Sequence, residues 1–149
     1  MNTERCELAH VYHKKGYNCC QSVLAAFSDL TSLSEKDSIA IGGGFGGGAG
    51  TGELSGAVSG AIKAVRQLTA VDPENPAAGR KQAAGMAKEL QKRFSQRFGA
   101  LRCRELLKNR EGDQDGSPAA QAMGLTNHCE IMVVAAVEIL EELLAEQKA

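Results

Sequence analysis

The sequence predicts an all-α fold, a compact bundle of about five to seven helices with a glycine-rich loop before a central helix. Three observations predict it. Apolar residues recur at helical spacing in several long segments, and nowhere with the period of two expected of a half-buried strand. Hydrophobic residues make up 43% of the chain but aromatics only 4%, with no tryptophan, so the core is built from Ala, Leu, Val and Ile, which suits closely packed helices. Capping signals precede several of the periodic segments, with Asn18 three residues before Gln21 and Asn127 three residues before Glu130. The whole chain, 1–149, is expected to form one domain.

Each element has its own signal. A first helix is expected from about Thr3 to Lys15, stopped by Gly16 as a C′ residue. A second runs from Cys19 to about Leu30, with Cys20, Leu24 and Phe27 along one face. Ser34 with Asp37 starts a short third helix that dissolves into the glycine segment. Leu54, Val58, Ala61, Val65 and Leu68 define a fourth, which the Asp72-Pro-Glu-Asn-Pro76 stretch breaks. A fifth spans about Ala77 to Phe98 with Met86, Leu90 and Phe94 inward, and Cys103 opens a short sixth. Glu111 to Leu125 reads as a polar loop. In the last helix Cys129, Val133, Ala136, Leu140 and Leu143 form the core-facing stripe, with glutamates opposite, so Cys129 should point inward.

Charge excludes some functions. There are 17 basic and 18 acidic residues, a net charge of −1, and no global field that would draw nucleic acid or an anionic membrane. The longest uninterrupted apolar run, Ile131 to Val137, is too short to span a bilayer, so no membrane insertion is expected. The opening Met-Asn-Thr-Glu-Arg-Cys-Glu is polar and lacks the apolar core of a signal peptide. Five cysteines in that context point to a reducing cytoplasm, where disulfides are transient, catalytic or sensory and cysteine clusters often bind metal.

The cysteines carry the chemistry. Cys19 follows the Asn18 cap, Cys129 follows Asn127 and His128, and Cys103 opens its own helical run. In a first helical turn the unpaired N–H groups and the dipole favour thiolate over thiol, and the thiolate is the form that attacks disulfides and binds metals. A lone cysteine would read as a small buried hydrophobe, whereas three at similar positions read as a site.

The glycine segment Gly42 to Gly52 has eight glycines in eleven residues. Gly42-x-Gly44-x-x-Gly47 formally matches a dinucleotide fingerprint, but no strand precedes it and no βαβ unit surrounds it. A phosphate-binding Gly-x-x-x-x-Gly-Lys pattern is also absent, since no lysine lies between Lys36 and Lys63. Such a turn feeding a helix can present N–H groups to an anion or a cluster sulfur, which makes Gly47, Gly48, Ser55 and Gly56 candidate cofactor-binding positions. The plain reading is positive φ and close backbone packing. Gly56-x-x-x-Gly60 on the following helix would let another helix approach closely and bring Ser55 near cysteines of its neighbours.

Five stretches together carry a family resemblance: Gly16-Tyr-Asn-Cys-Cys-Gln-Ser-Val-Leu24, Gly43-Gly-Phe-Gly-Gly-Gly48, the run from Gly52 to Gly60, Phe98-Gly-Ala-Leu-Arg-Cys-Arg-Glu-Leu-Leu107, and Cys129 ahead of a long helix. From about residue 9 to about residue 144 the chain resembles the redox-active proteins defined by a C…CGAxxG…C…C pattern (C_GCAxxG_C_C). The resemblance implies redox chemistry at Cys19, Cys103 and Cys129. Ser55 stands where the family places the cysteine of CGAxxG, and Cys6 and Cys20 are extra. A serine hydroxyl is a poor soft-metal ligand and forms no disulfide. An introduced substitution, a natural variant with weakened chemistry, or replacement of the sulfur by Cys20 or a histidine each account for it.

Histidines extend the candidate set. Cys6, His10 and His13 share one face of the first helix, and thiol with imidazole suits zinc or copper, although Lys14 and Lys15 next door favour a solvated face. His13 lies six residues from Cys19 across a tight Gly16-Tyr17 connection. His128 precedes Cys129 and suits a ligand or a proton carrier.

Three function classes follow. In the first, Cys19, Cys103 and Cys129 are catalytic thiols of an oxidoreductase, one attacking and another resolving a mixed disulfide with a protein or small-molecule redox partner. In the second, Cys19, Cys20, Cys103, Cys129 and His13 supply ligands to a metal ion or iron–sulfur cluster. Adjacent side chains on a helix diverge by about 100 degrees, so Cys19 and Cys20 do not naturally point at one site. In the third, the chain is a structural or interaction protein with a decayed site. No Cys-x-x-Cys pair supports a thioredoxin-type or zinc-ribbon reading, Ser55 has no evident base, and self-association into a homo-oligomer is left open.

Overall fold

The structure, a computed structural model, describes residues 4–69 and 72–148. Nine α-helices follow one another among these residues: α1 Glu4–Lys14, α2 Cys19–Ala26, α3 Ser28–Thr31, α4 Glu35–Gly42, α5 Gly56–Leu68, α6 Pro76–Phe98, α7 Cys103–Lys108, α8 Pro118–Ala122 and α9 His128–Lys148. Two tight helical turns, Gly48–Gly52 and Asp113–Gly116, lie in the connections. Among the described residues there is no β-strand, and the only extended pairing is an isolated antiparallel bridge between Leu54 and Arg102. The fold is all-α, as the periodicity predicts.

The caps work as the sequence implies. Asn18 Oδ1 accepts from Gln21 N at 2.8 Å while Gln21 Oε1 accepts from Asn18 N at 2.9 Å, a complete capping box at α2. Ser34 Oγ accepts from Asp37 N at 3.0 Å at α4. Asn127 Oδ1 accepts from Glu130 N at 3.1 Å at α9, but the Glu130 side chain turns to His10 instead of closing the box. Thr3, expected to begin α1, lies outside the described residues.

Three expectations need correction. The second helix does not run through to Leu30. It ends at Phe27, whose ring is fully buried beneath the Arg5 guanidinium, and Ser28 Oγ bonds back to Ala25 O at 2.8 Å before α3 begins. The Glu111–Leu125 segment is not merely a polar loop. It contains the Asp113–Gly116 turn and α8, which Ser117 caps from Oγ and Pro118 opens. Nor does α9 present all its glutamates to solvent: Glu146 is exposed, but Glu138 and Glu141 are buried. Residues 131–141 are all buried, Glu138 completely. Arg97 Nη1 donates to Glu138 Oε1 at 2.7 Å, and the same carboxylate accepts from Ser117 Oγ at 3.1 Å and Ala119 N at 2.9 Å. Arginines of other helices cover the remaining acids, with Arg5 near Glu141, Arg97 on Glu142 and Arg93 on Glu146. A buried carboxylate is tolerable only when its lone pairs are met in this way. Despite its buried length, no helix among the described residues is long and apolar enough to cross a membrane.

At the centre, α2 packs on α5, with α1, α4 and α9 around it, while α6 closes the far side of α5 and α9. The core joins Val23, Leu24 and Phe27 of α2 to Val58, Ala61 and Val65 of α5, Leu90 and Phe94 of α6, and the buried length of α9. Glycines set the α2–α5 distance. A Cβ at Gly60 would stand 2.8 Å from Cys20 O and 3.0 Å from Val23 Cβ. A methyl there cannot be absorbed by a flexible side-chain end. Gly60→Ala is therefore expected to lower stability by about 1–3 kcal/mol, read as a reduced Tm. Gly85→Ala, on exposed α6 with nothing within 4 Å of a new Cβ, is expected to raise it slightly. Equal responses of the two variants would contradict the close approach of α2 and α5.

Candidate functional site

Four helix starts meet at one cavity of about 160 Å³. It is lined by Cys19 at the start of α2, Gly47, Ser55 and Gly56 at the entry to α5, Cys103, Leu106 and Leu107 of α7, and His128, Cys129 and Met132 of α9. These positions are far apart in sequence, and the chain folds locally to bring each one in.

Cys19 is set by the Asn18 box, and Asn18 is itself anchored. Its Nδ2 donates to Gly43 O at 3.1 Å and Gly42 O at 3.3 Å, while Gln21 Nε2 donates to Ile39 O at 3.0 Å, tying the start of α2 to the end of α4. Gly56 then lets α5 reach it: a Cβ at Gly56 would stand 3.0 Å from Phe45 O and 3.3 Å from both Cys19 Cβ and Cys20 N. Ser55 and Cys103 are brought together by backbone. Ser55 N donates to Leu101 O at 2.9 Å and Cys103 N donates to Glu53 O at 2.7 Å, the two bonds that flank the Leu54–Arg102 bridge. The loop ahead of it curls through positive φ at Gly47, Gly48, Ala49, Gly50 and Gly52, and its strained Ala49 is held by an N–H bond to Phe45 O at 3.2 Å.

The candidate residues divide. Cys19, Cys103, Cys129, Ser55, Gly47 and Gly56 share the cavity, and Gly48, Cys20 and His13 do not line it. Gly48 is structural: any Cβ would run into the Glu53 backbone. Cys20 is fully buried on the α5 side, where its thiol pairs with Ser59. His13 lies towards His10 and Glu130, with burial pulling its pKa down. Cys6 is buried, its Sγ 3.8 Å from Val134 O, and burial pushes its thiol up to about 12. Among the described residues no group of three or more His, Cys, Asp or Glu side chains is arranged to hold a metal ion.

The thiols of the cavity differ sharply. A hydrogen bond between Cys19 and Cys129 pulls the Cys129 pKa down to about 6, with the nearby charges of His128 and Arg110 assisting. The same hydrogen bond, together with burial, pushes Cys19 up. Burial also raises Cys103. The two thiols are thus driven in opposite directions, Cys129 towards thiolate and Cys19 towards thiol. The helix starts alone would favour thiolate at all three cysteines, but the interaction with Cys129 together with burial outweighs that at Cys19, and burial does so at Cys103.

His128 Nδ1 is hydrogen-bonded to Asp113 Oδ2, with both side chains only 9% exposed. Sequence reasoning missed Asp113, which no local motif marks, and the apolar wall of Leu106, Leu107 and Met132. That wall had a signal: the three lie three or four residues after Cys103 and Cys129, on the same helix faces.

The structure is an all-α chain with three thiols gathered at helix starts around one cavity. A family model described as "Putative redox-active protein (C_GCAxxG_C_C)" matches residues 17–143. The chain belongs to this family. No curated protein and no solved structure matches it.

The pKa directions set a pH profile. With its folded pKa pulled down to about 6 by the interaction with Cys19, Cys129 is expected to be thiolate at neutral pH and to protonate on acidification past that value. Alkylation of Cys129 by iodoacetamide, followed by peptide mass mapping, is expected to be half-maximal near that pH and to precede alkylation of Cys19 and Cys103. Equal labelling of the three, rising only near the ordinary thiol value of about 8.5, would contradict the assignment.

Proposed function

We propose that this chain is a thiol–disulfide oxidoreductase in which Cys129 attacks and Cys19 resolves. The observation that supports this most is that Cys19 and Cys129 line one shared cavity, and the opposite pKa directions of the two thiols agree with it. The Cys129 thiolate attacks one sulfur of a disulfide R–S–S–R′, forming a Cys129–S–S–R bond and expelling R′S⁻. Cys19 then gives up its proton, and its sulfur attacks the Cys129 sulfur, expelling RS⁻. The substrate disulfide is reduced to two thiols, and the protein is left with a Cys19–Cys129 disulfide for a redox partner to reduce. Gly56 serves this chemistry by leaving room beside Cys19. Cys103 stands ready as a third thiol for handing on the disulfide. The small, mainly apolar cavity suits one sulfur-bearing end of a substrate and not a large ligand. A reducing compartment, expected from the cysteine content, would keep the pair in its thiol form between turnovers.

Two variants test the reading. On exposure to 2-hydroxyethyl disulfide, Cys19→Ser is expected to stop at a mixed disulfide on Cys129, seen by intact-mass measurement, while the wild type proceeds to an internal disulfide and releases the reagent. Ser55→Cys, which restores the family's fourth thiol, is expected to add a second internal disulfide on mild oxidation and to leave metal content flat. A rise in bound metal or iron–sulfur absorbance in that variant would favour a cluster-binding site over thiol exchange.

A further inference from the structure

The Asp113–His128 pair is the feature of the cavity that thiol exchange, as described, does not yet use. His128 lines the cavity beside all three thiols. Its Nδ1 is taken by Asp113 Oδ2, which fixes the neutral ring with its proton on that side and leaves Nε2 as the nitrogen able to exchange a proton.

The segment that carries Asp113 is pinned at both ends. Gln114 Nε2 donates to Leu125 O at one end of it. At the other end Ser117 Oγ and Ala119 N both bond to the wholly buried Glu138 carboxylate, itself gripped by Arg97. A polar connection without a task would not need a buried carboxylate to pin it. The pinning delivers one carboxylate to one imidazole at the rim of the thiol cavity.

We infer that His128 is the proton carrier of the thiol site and that Asp113 is the positioning residue that orients it. The inference rests on Cys129 being the attacking thiol. With His128 protonated, R′S⁻ leaves as R′SH by taking the Nε2 proton. The neutral ring then accepts the proton of Cys19, so that Cys19 can attack the Cys129 sulfur. RS⁻ takes that proton in turn and leaves as RSH. Both leaving thiolates are thus neutralised, and the electron pair of each broken S–S bond departs with its sulfur.

The experiment compares leaving groups. With the alkyl reagent 2-hydroxyethyl disulfide, whose departing thiolate is basic, His128→Gln and Asp113→Asn are expected to slow exchange by about 10- to 100-fold. With an aromatic disulfide, whose departing thiolate is stable without a proton, both variants should stay within about threefold of wild type. Asp113→Glu should recover part of the alkyl rate. Nitrogen NMR of the imidazole in the wild type, expected to show the Nδ1–H tautomer, decides the matter even if an Asp113 variant fails to fold. The inference is overturned if both reagents slow equally, if neither slows, or if His128 carries its neutral proton on Nε2. Loss of both reactions in Cys129→Ser supports the underlying thiol reading. Survival of both in that variant would overturn that reading, and the proton-carrier role with it.

Discussion

The site depends on how closely α5 lies against α2. Gly60 meets the carbonyl of Cys20 where any Cβ would collide, and Gly56 leaves only a glycine's width beside Cys19. This approach has two consequences. It fills the middle of the molecule with small residues of α5, Ala57, Ala61 and Ala64, in place of the large aromatics that the composition lacks. It also places the start of α5, and therefore Ser55, at the same depth as the start of α2. The bridge from Leu54 to Arg102 then carries α7 and Cys103 to that level. A single spacing thus aligns three of the four helix starts, and α9 supplies the fourth.

On the α9 side the constraint is electrostatic. Glu138 lies within the stretch of α9, residues 131–141, that has no solvent face, and its charge is met by Arg97, Ser117 and the Ala119 N–H. Burying an ion pair is a weak source of stability, because desolvation offsets most of the attraction. Its value lies in specificity of placement: Glu138 accepts from α6, from the α8 cap and from the first turn of α8 at once. That fixes the connection in which Asp113 stands, and Asp113 fixes His128. The chain of contacts therefore runs from a buried carboxylate in the core to an imidazole at the cavity.

Much of this was legible in the sequence, for local reasons. The Asn18 and Ser34 caps and the α5 and α6 stripes follow from spacing and from signals within a few residues. What was not legible depends on partners distant in sequence. Phe27 interrupts α2 without a glycine or proline, because its ring is buried under an arginine of α1. Glu138 reads as a surface acid until Arg97 and Ser117 are beside it. Asp113 reads as one more acid in a polar loop until His128 meets it. Cys20 and His13 are plausible site members by proximity in sequence, but the rotation of about 100 degrees per helical residue sends Cys20 towards Ser59, and His13 lies towards His10 and Glu130. The Ser117-Pro118 start signal for α8 was present and readable.

The central claim is that Cys19, by donating a hydrogen bond, holds Cys129 as a thiolate. The most direct test is the far-ultraviolet thiolate absorbance of the reduced protein, titrated in the wild type and in Cys19→Ala. The wild type is expected to show one thiolate ionising near pH 6, as the Cys129 shift implies. In Cys19→Ala that ionisation should move up towards the ordinary thiol range, because the donor that stabilised the charge is gone. An unshifted ionisation in Cys19→Ala, or no thiolate in the wild type at neutral pH, would contradict the account.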